Sequence, residues 1–140
     1  MKEWSHLPNA HHIDWVLASL KENPEFWSAA WGGAWDAARA AAWDAAWDAT
    51  WSAARGAAWS AAWDAARSAA RGAARAAASV AAGDAISALV AYDDCDQFLS
   101  MSYERLKVWA ILSEDPRAVL LLPMIYVREK LNEQCMVTPA

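Results

Sequence analysis

The sequence predicts an all-α protein: a helical bundle or short solenoid built on a Trp/Arg-x-Ala-Ala repeat, with a small C-terminal helical cap. Three observations predict it. Large residues fall on every fourth position from Trp27 to Arg75 without a miss, with Ala filling most of the space between them. Ala is the strongest helix former, so this stretch is expected to be helical throughout. Helix punctuation sits at Asn9, Asn23-Pro24 and Asp115-Pro116, and nothing alternates with the period of two that a half-buried strand requires.

The elements follow in order within one expected domain, 1–140. In 1–24, Leu7-Pro8-Asn9 forms a turn and Asn9 is placed to cap a helix running to about Glu22. Ile13, Val16, Leu17 and Leu20 share one face of it, and Asn23-Pro24 ends it. In 25–91 the large residues are Trp27, Trp31, Trp35, Arg39, Trp43, Trp47, Trp51, Arg55, Trp59, Trp63, Arg67, Arg71 and Arg75. The position after each is mostly small or acidic, as in Gly32, Asp36, Ser52 and Asp64. From Asp84 onward the repeat fades, and 92–140 reads as ordinary globular helix. Asp84–Leu99 is expected to continue as helix with Ile86, Leu89, Val90 and Phe98 inward. Ser102–Leu112 follows with Leu106, Trp109 and Ala110 as its apolar side. A last helix starts at Asp115-Pro116 and runs to about Glu133, kinked or restarted at Pro123. Its buried residues are expected to be Val119, Leu120, Leu122, Ile125 and Tyr126.

A period of four cannot keep one face of a long straight helix. At about 100° per residue each large side chain sits roughly 40° round from the last, about 480° from Trp27 to Arg75. The helix must break, widen or be wrapped on all sides. Breaking is favoured, near Gly56 or Gly83, because shorter pieces keep the stripe narrow. Within a piece, the Ala face opposite the large residue lets a second backbone come close, so Trp from one helix can enter the Ala groove of the next. Trp31, Trp35, Trp43, Trp47, Trp51 and Trp59 are expected to be largely buried, some of them only in an oligomer. Neighbours four apart, such as Trp31–Trp35, Trp43–Trp47, Trp35–Arg39–Trp43 and Trp51–Arg55–Trp59, should touch as ring–ring or guanidinium–indole pairs. Asp36–Arg39 and Asp64–Arg67 are spaced to pair.

Charge and composition exclude several classes. The net charge is −5, which is wrong for generic duplex binding through neutralised phosphates. No run of apolar residues is long enough to span a bilayer, and the first residues carry no secretory pattern. Cys95 and Cys135 form neither a CxxC motif nor a disulfide framework. A cytoplasmic location with reduced thiols is expected, and no cofactor is implied.

Four clusters invite chemistry. The Trp/Arg ladder reads either as core packing or as a ligand surface, since indoles stack on bases and guanidinium pairs with phosphate. It ends in three cations, Arg67, Arg71 and Arg75, which repel at spacing four and call for an anion. The candidate ligand-binding set is therefore Arg67, Arg71 and Arg75 with Trp59 and Trp63 for stacking. Asp93, Asp94 and Asp96 could hold a cation, pair with those arginines, or stand in solvent. His6, His11 and His12 lack the spacing that puts two imidazoles together on a helix and read as surface residues. The acids around Cys95 should raise its thiol pKa and make it a poor nucleophile. No catalytic and no metal-binding residues are assigned.

The runs Ala34-Trp35-Asp36-Ala37-Ala38-Arg39 and Ala58-Trp59-Ser60-Ala61-Ala62-Trp63-Asp64, with Tyr92-Asp93-Asp94-Cys95 and Asp115-Pro116-Arg117 after them, resemble uncharacterised Ala/Trp-repeat proteins of phage and bacterial genomes. Some of these are labelled putative immunity proteins near toxin loci. The resemblance covers roughly residues 10–125 and brings no catalytic residues with it. It implies a non-enzymatic protein, phage-encoded and acting in the host cytoplasm, that blocks a bacterial defence system. Its partner would be a nucleotide-like small molecule or a host defence protein, and a homo-oligomer is expected. The alternative is an immunity or structural protein that meets a protein partner through the Trp-rich face.

Overall fold

The computed structural model describes residues 2–56 and 59–137, and within these the side chains of 33–42, 56 and 135–137 are not described. The helices are α1 (Ala10–Glu22), α2 (Pro24–Gly56), α3 (Ser60–Ala73), α4 (Ala76–Ala91), α5 (Asp96–Leu99), α6 (Tyr103–Ser113) and α7 (Pro116–Val137). No strand occurs among the described residues.

Two helices form the inside. Every residue from Ala81 to Val90 of α4 is buried, and α1, α2, α3 and α7 all pack on that helix. Small side chains make this possible, because Ala81, Ala82, Gly83, Ala85 and Ala88 let backbones approach from several sides while Ile86, Leu89 and Val90 fill the gaps. The second inner helix is α7, buried continuously from Ala118 to Ile125 and packed on α2, α4 and α6. The C-terminal part is therefore more than a cap on the repeat; it supplies one of the two inner helices. One core cluster joins residues from Trp4 to Val127. The helices cut from the repeat are 33, 14 and 16 residues long, so they form a bundle and not a stack of equal units.

The chain breaks near Gly56, one of the two places expected, and again at Ala74–Arg75, where both residues are extended. Gly83 is no bend; it lies in the middle of α4, where an added Cβ would touch the Arg67 side chain at 3.6 Å. α2 stays unbroken for 33 residues, longer than expected. Five helices, α1, α3, α4, α6 and α7, pack against it, so a stripe that drifts round α2 still meets neighbours. Its ladder is nonetheless less buried than expected. Trp27 is fully buried, but Trp31, Trp43, Trp47, Trp51 and Trp59 are half-buried, and Ala30, Ala46, Thr50 and Ala54, one position before large ones, are buried. The small face meets the neighbouring backbones, and the indoles flank that seam. Trp35, Asp36 and Arg39, with the contacts expected of them, lie outside the described side chains, as does Cys135.

Local signals fared unevenly. α1 begins after Asn9 and buries Ile13, Val16 and Leu20. Yet the Asn9 side chain does not cap α1. Its Nδ2 donates to the carbonyls of Leu89 at 3.1 Å and Tyr92 at 2.7 Å, satisfying the otherwise unpaired C-terminal end of α4. The expected helix from Asp84 to Leu99 ends at Ala91 and resumes as the short α5. Ser102 caps α6, accepting from the Arg105 backbone N–H, and Asp115 does the same for Arg117 at the start of α7. α7 continues through Pro123 without a restart. On α6, Leu106 and Ala110 are buried, whereas Trp109 is exposed and does not belong to the inner face.

Candidate anion site

The ladder of α2 and that of α3 meet at a tryptophan cluster. Trp47 and Trp51 stack with centroids 6.2 Å apart, and the Trp63 ring stands edge-on to both, at 5.8 and 5.0 Å. Arg67, one turn after Trp63 on α3, lays its guanidinium over Trp47 at 5.5 Å and Trp63 at 5.8 Å. On its other side runs the backbone of α4 at Gly83. The Arg67 Nε is buried and has no hydrogen-bond partner.

The acid whose charge bears most on Arg67 is Asp84, which sequence reasoning missed. It is the one carboxylate in the Ala-rich stretch 76–91, and that isolation was the available signal, since a lone buried charge needs a partner. Its Oδ2 accepts from the Trp43 indole N–H at 2.9 Å. Burial pushes its pKa up to about 7, against the opposing pull of the Trp43 hydrogen bond and the Arg67 charge. Arg67 is itself pushed down, chiefly by burial and then by Arg71, with Asp84 and Asp64 acting the other way.

Arg67 and Arg71 line a small cavity of about 80 Å³ with Ser79, Val80 and Gly83. Arg71 is exposed and donates to the Ser68 hydroxyl at 3.0 Å. The space is small and open to solvent beside exposed Arg71 and Val80, so a group the size of a phosphate can enter it while the rest of a ligand stays outside. Two of the three predicted arginines thus share one cavity. Arg75 does not line it; it is exposed at the start of α4. Trp63 is 1% exposed and enclosed by Trp47, Trp51 and Arg67, so it is a core residue and offers no ligand platform. Trp59 is half-buried with its ring 5.4 Å from that of His6.

The acidic cluster turns elsewhere. Asp94 pairs with Arg117 at 2.6 Å, and Arg117 also reaches Asp115 at 2.9 Å while lying over the Phe98 ring. Hydrogen bonding to Arg117 holds the Asp94 carboxyl below its ordinary pKa. Asp96 lies 3.5 Å from His12, and Asp93 is exposed. Arg117, absent from the expected pairings, takes the place assigned to the Arg67 cluster. Burial, with Asp94 beside it, pushes the Cys95 thiol up to about 12, as the flanking acids led one to expect. Among the described residues no three of His, Cys, Asp and Glu converge as metal ligands, and no helix is long and apolar enough to cross a membrane. No protein-family model, no curated protein and no solved structure matches the chain.

Proposed function

We propose that this is a non-enzymatic binding protein that holds an oxyanion, the phosphate of a nucleotide-like molecule, between Arg67 and Arg71. The observation that carries the reading is the Arg67 guanidinium, packed over two indoles, with a buried Nε that lacks a partner beside a cavity it shares with a second arginine. Fixing the guanidinium in advance lowers the ordering cost of binding, and charge-assisted pairing with an oxyanion supplies the energy. The rest of the ligand would lie outside the cavity, toward exposed Arg75. In the phage–host setting that the resemblance implies, such a protein works by sequestering a signal molecule and needs no catalytic residues.

Calorimetric titration with inorganic sulfate and with a panel of linear and cyclic nucleotides tests the reading. Arg71→Glu should abolish binding and leave the melting temperature unchanged, because Arg71 is exposed. Binding that survives Arg71→Glu would place the ligand elsewhere. A second reading, contact with a protein partner, is favoured by the exposed apolar side chains of α6 beside the half-buried indoles of the ladder.

A further inference from the structure

Three helices that meet away from the Trp cluster line a second cavity, of about 330 Å³. His11, His12 and Trp15 line it from α1, Leu99 from the end of α5, and Met124 and Arg128 from α7. Helical spacing explains the set. His11 and Trp15 are four apart on α1, as Met124 and Arg128 are on α7, so each pair presents neighbouring side chains on one side of its helix. The cavity shares no residue with the one at Arg67 and Arg71. Its size falls at the small end of the roughly 300–1,000 Å³ of small-molecule sites, which are mostly apolar with a few convergent polar groups.

The walls divide by chemistry. Leu99 and Met124 are buried, and with the half-buried Trp15 they make an apolar wall. The other three residues carry or can carry positive charge. Arg128 is half-buried and donates to the carbonyls of Leu99 and Met101, which occupies only part of a guanidinium with five N–H groups. No carboxylate among the described residues pairs with it; Glu129, whose charge acts on it, accepts from the Tyr103 backbone N–H instead. The His11 and His12 rings lie 3.9 Å apart, and His12 Nε2 is 3.5 Å from an Asp96 carboxylate oxygen. The Asp96 side chain is 87% exposed and does not line the cavity, so it meets His12 from the solvent side. Burial pushes the Arg128 pKa down, and burial followed by His11 does the same to His12. In both, the charged form has lost solvation that no partner fully replaces.

We propose that this cavity binds a small aromatic carboxylate, its carboxylate group taken by Arg128 and His12 and its ring laid against Trp15, Leu99 and Met124. A carboxylate supplies the counter-charge that Arg128 lacks, through charge-assisted hydrogen bonds. An indole and a thioether favour a flat ring over an aliphatic chain. One negative charge suits the site better than two, because Asp96 already stands beside His12. A neutral ligand of the same shape would leave Arg128 unpaired and more deeply buried.

Calorimetric titration of the full chain with benzoate tests it. Benzoate should bind once per chain with a Kd of about 1 mM or tighter. Benzamide, with the ring but no charge, and acetate, with the charge but no ring, should each bind at least tenfold more weakly. Arg128→Gln should weaken benzoate binding at least tenfold; should it lose helicity, Trp15→Leu, which removes the ring from the wall, carries the test with a loss of at least threefold. Asp96→Asn should tighten binding, since it removes the competing carboxylate, a gain that a purely structural role for these residues would not produce. Arg71→Glu should bind benzoate like the parent, which separates this site from the Arg67 cavity. Absence of saturable benzoate binding at ten times that concentration, benzamide binding as tightly as benzoate, weaker binding by Asp96→Asn, or loss of binding in Arg71→Glu would overturn the proposal.

Discussion

Asp84 is the residue whose chemistry most depends on its surroundings. An ordinary carboxyl titrates near 4, and this one is raised to about 7 because ionising it inside α4 forfeits solvation that Trp43 and Arg67 only partly replace. A carboxyl whose folded pKa is raised binds its proton more tightly in the folded state. Its contribution to stability is full below about pH 4 and is lost as pH rises through about 7. A shift of about three units amounts to at most about 4 kcal/mol. Asp84→Asn should match the parent near pH 4 and exceed it in stability at pH 8, as urea titrations at the two values would show. A difference that does not grow with pH would mean that Asp84 ionises freely. Neutral Asp84 also leaves the Arg67 charge uncompensated, so sulfate, whose own charge is constant over this range, should bind more tightly at pH 6 than at pH 8.

At the scale of elements, the ends of helices carry as much information as their middles. α4 ends at Ala91 because Tyr92 turns extended, and its last carbonyls would be left unpaired inside the core. Asn9, 2% exposed, reaches across from the start of α1 to accept that role through two hydrogen bonds. Asn9→Ala should cost about 1–3 kcal/mol, since two buried acceptors lose their donor. Amide exchange should then quicken at the end of α4 more than within α1. Equal quickening in both would point to an ordinary N-cap, which the orientation of the Asn9 side chain argues against. Similar crossing caps fix α6, whose Tyr103 backbone N–H donates to Glu129 of α7 at 2.7 Å, and α5, whose end is held where Arg128 of α7 donates to the carbonyls of Leu99 and Met101.

For the molecule as a whole, stability rests on how the indoles divide between core and flank. Trp63 is enclosed by Trp47, Trp51 and Arg67, whereas Trp47 is half-buried at the edge of the same cluster. Trp63→Ala should cost about 3–5 kcal/mol and Trp47→Ala clearly less, because a cavity at the edge can collapse or fill with water. Thermal melts of the two variants check the order, and equal losses would mean that the ladder is uniformly buried after all.

The helical character of nearly the whole chain was legible because it follows from local causes: the propensity of Ala, the absence of period-two patterning, and punctuation at Asn23-Pro24 and Asp115-Pro116. The need to break the ladder was legible from its drift, and the break near Gly56 with it. The break at Ala74–Arg75 was not, nor was the continuity of α2, because drift fixes the angle of each side chain but says nothing about which neighbour covers that arc. The same limit governs the candidate site. Sequence spacing marked Arg67 and Arg71 as unpaired cations, and they do share a cavity. It could not show that Trp63 closes into the core, that Asp94 turns to Arg117, or that Asp84 stands by Arg67, since these pairings join residues far apart in the chain. A four-residue repeat repeats its local chemistry, so many registers between its helices are nearly equal in sequence terms. Tertiary packing around α4 and α7 selects one of them, and with it which cations face a cavity and which aromatic rings remain inside.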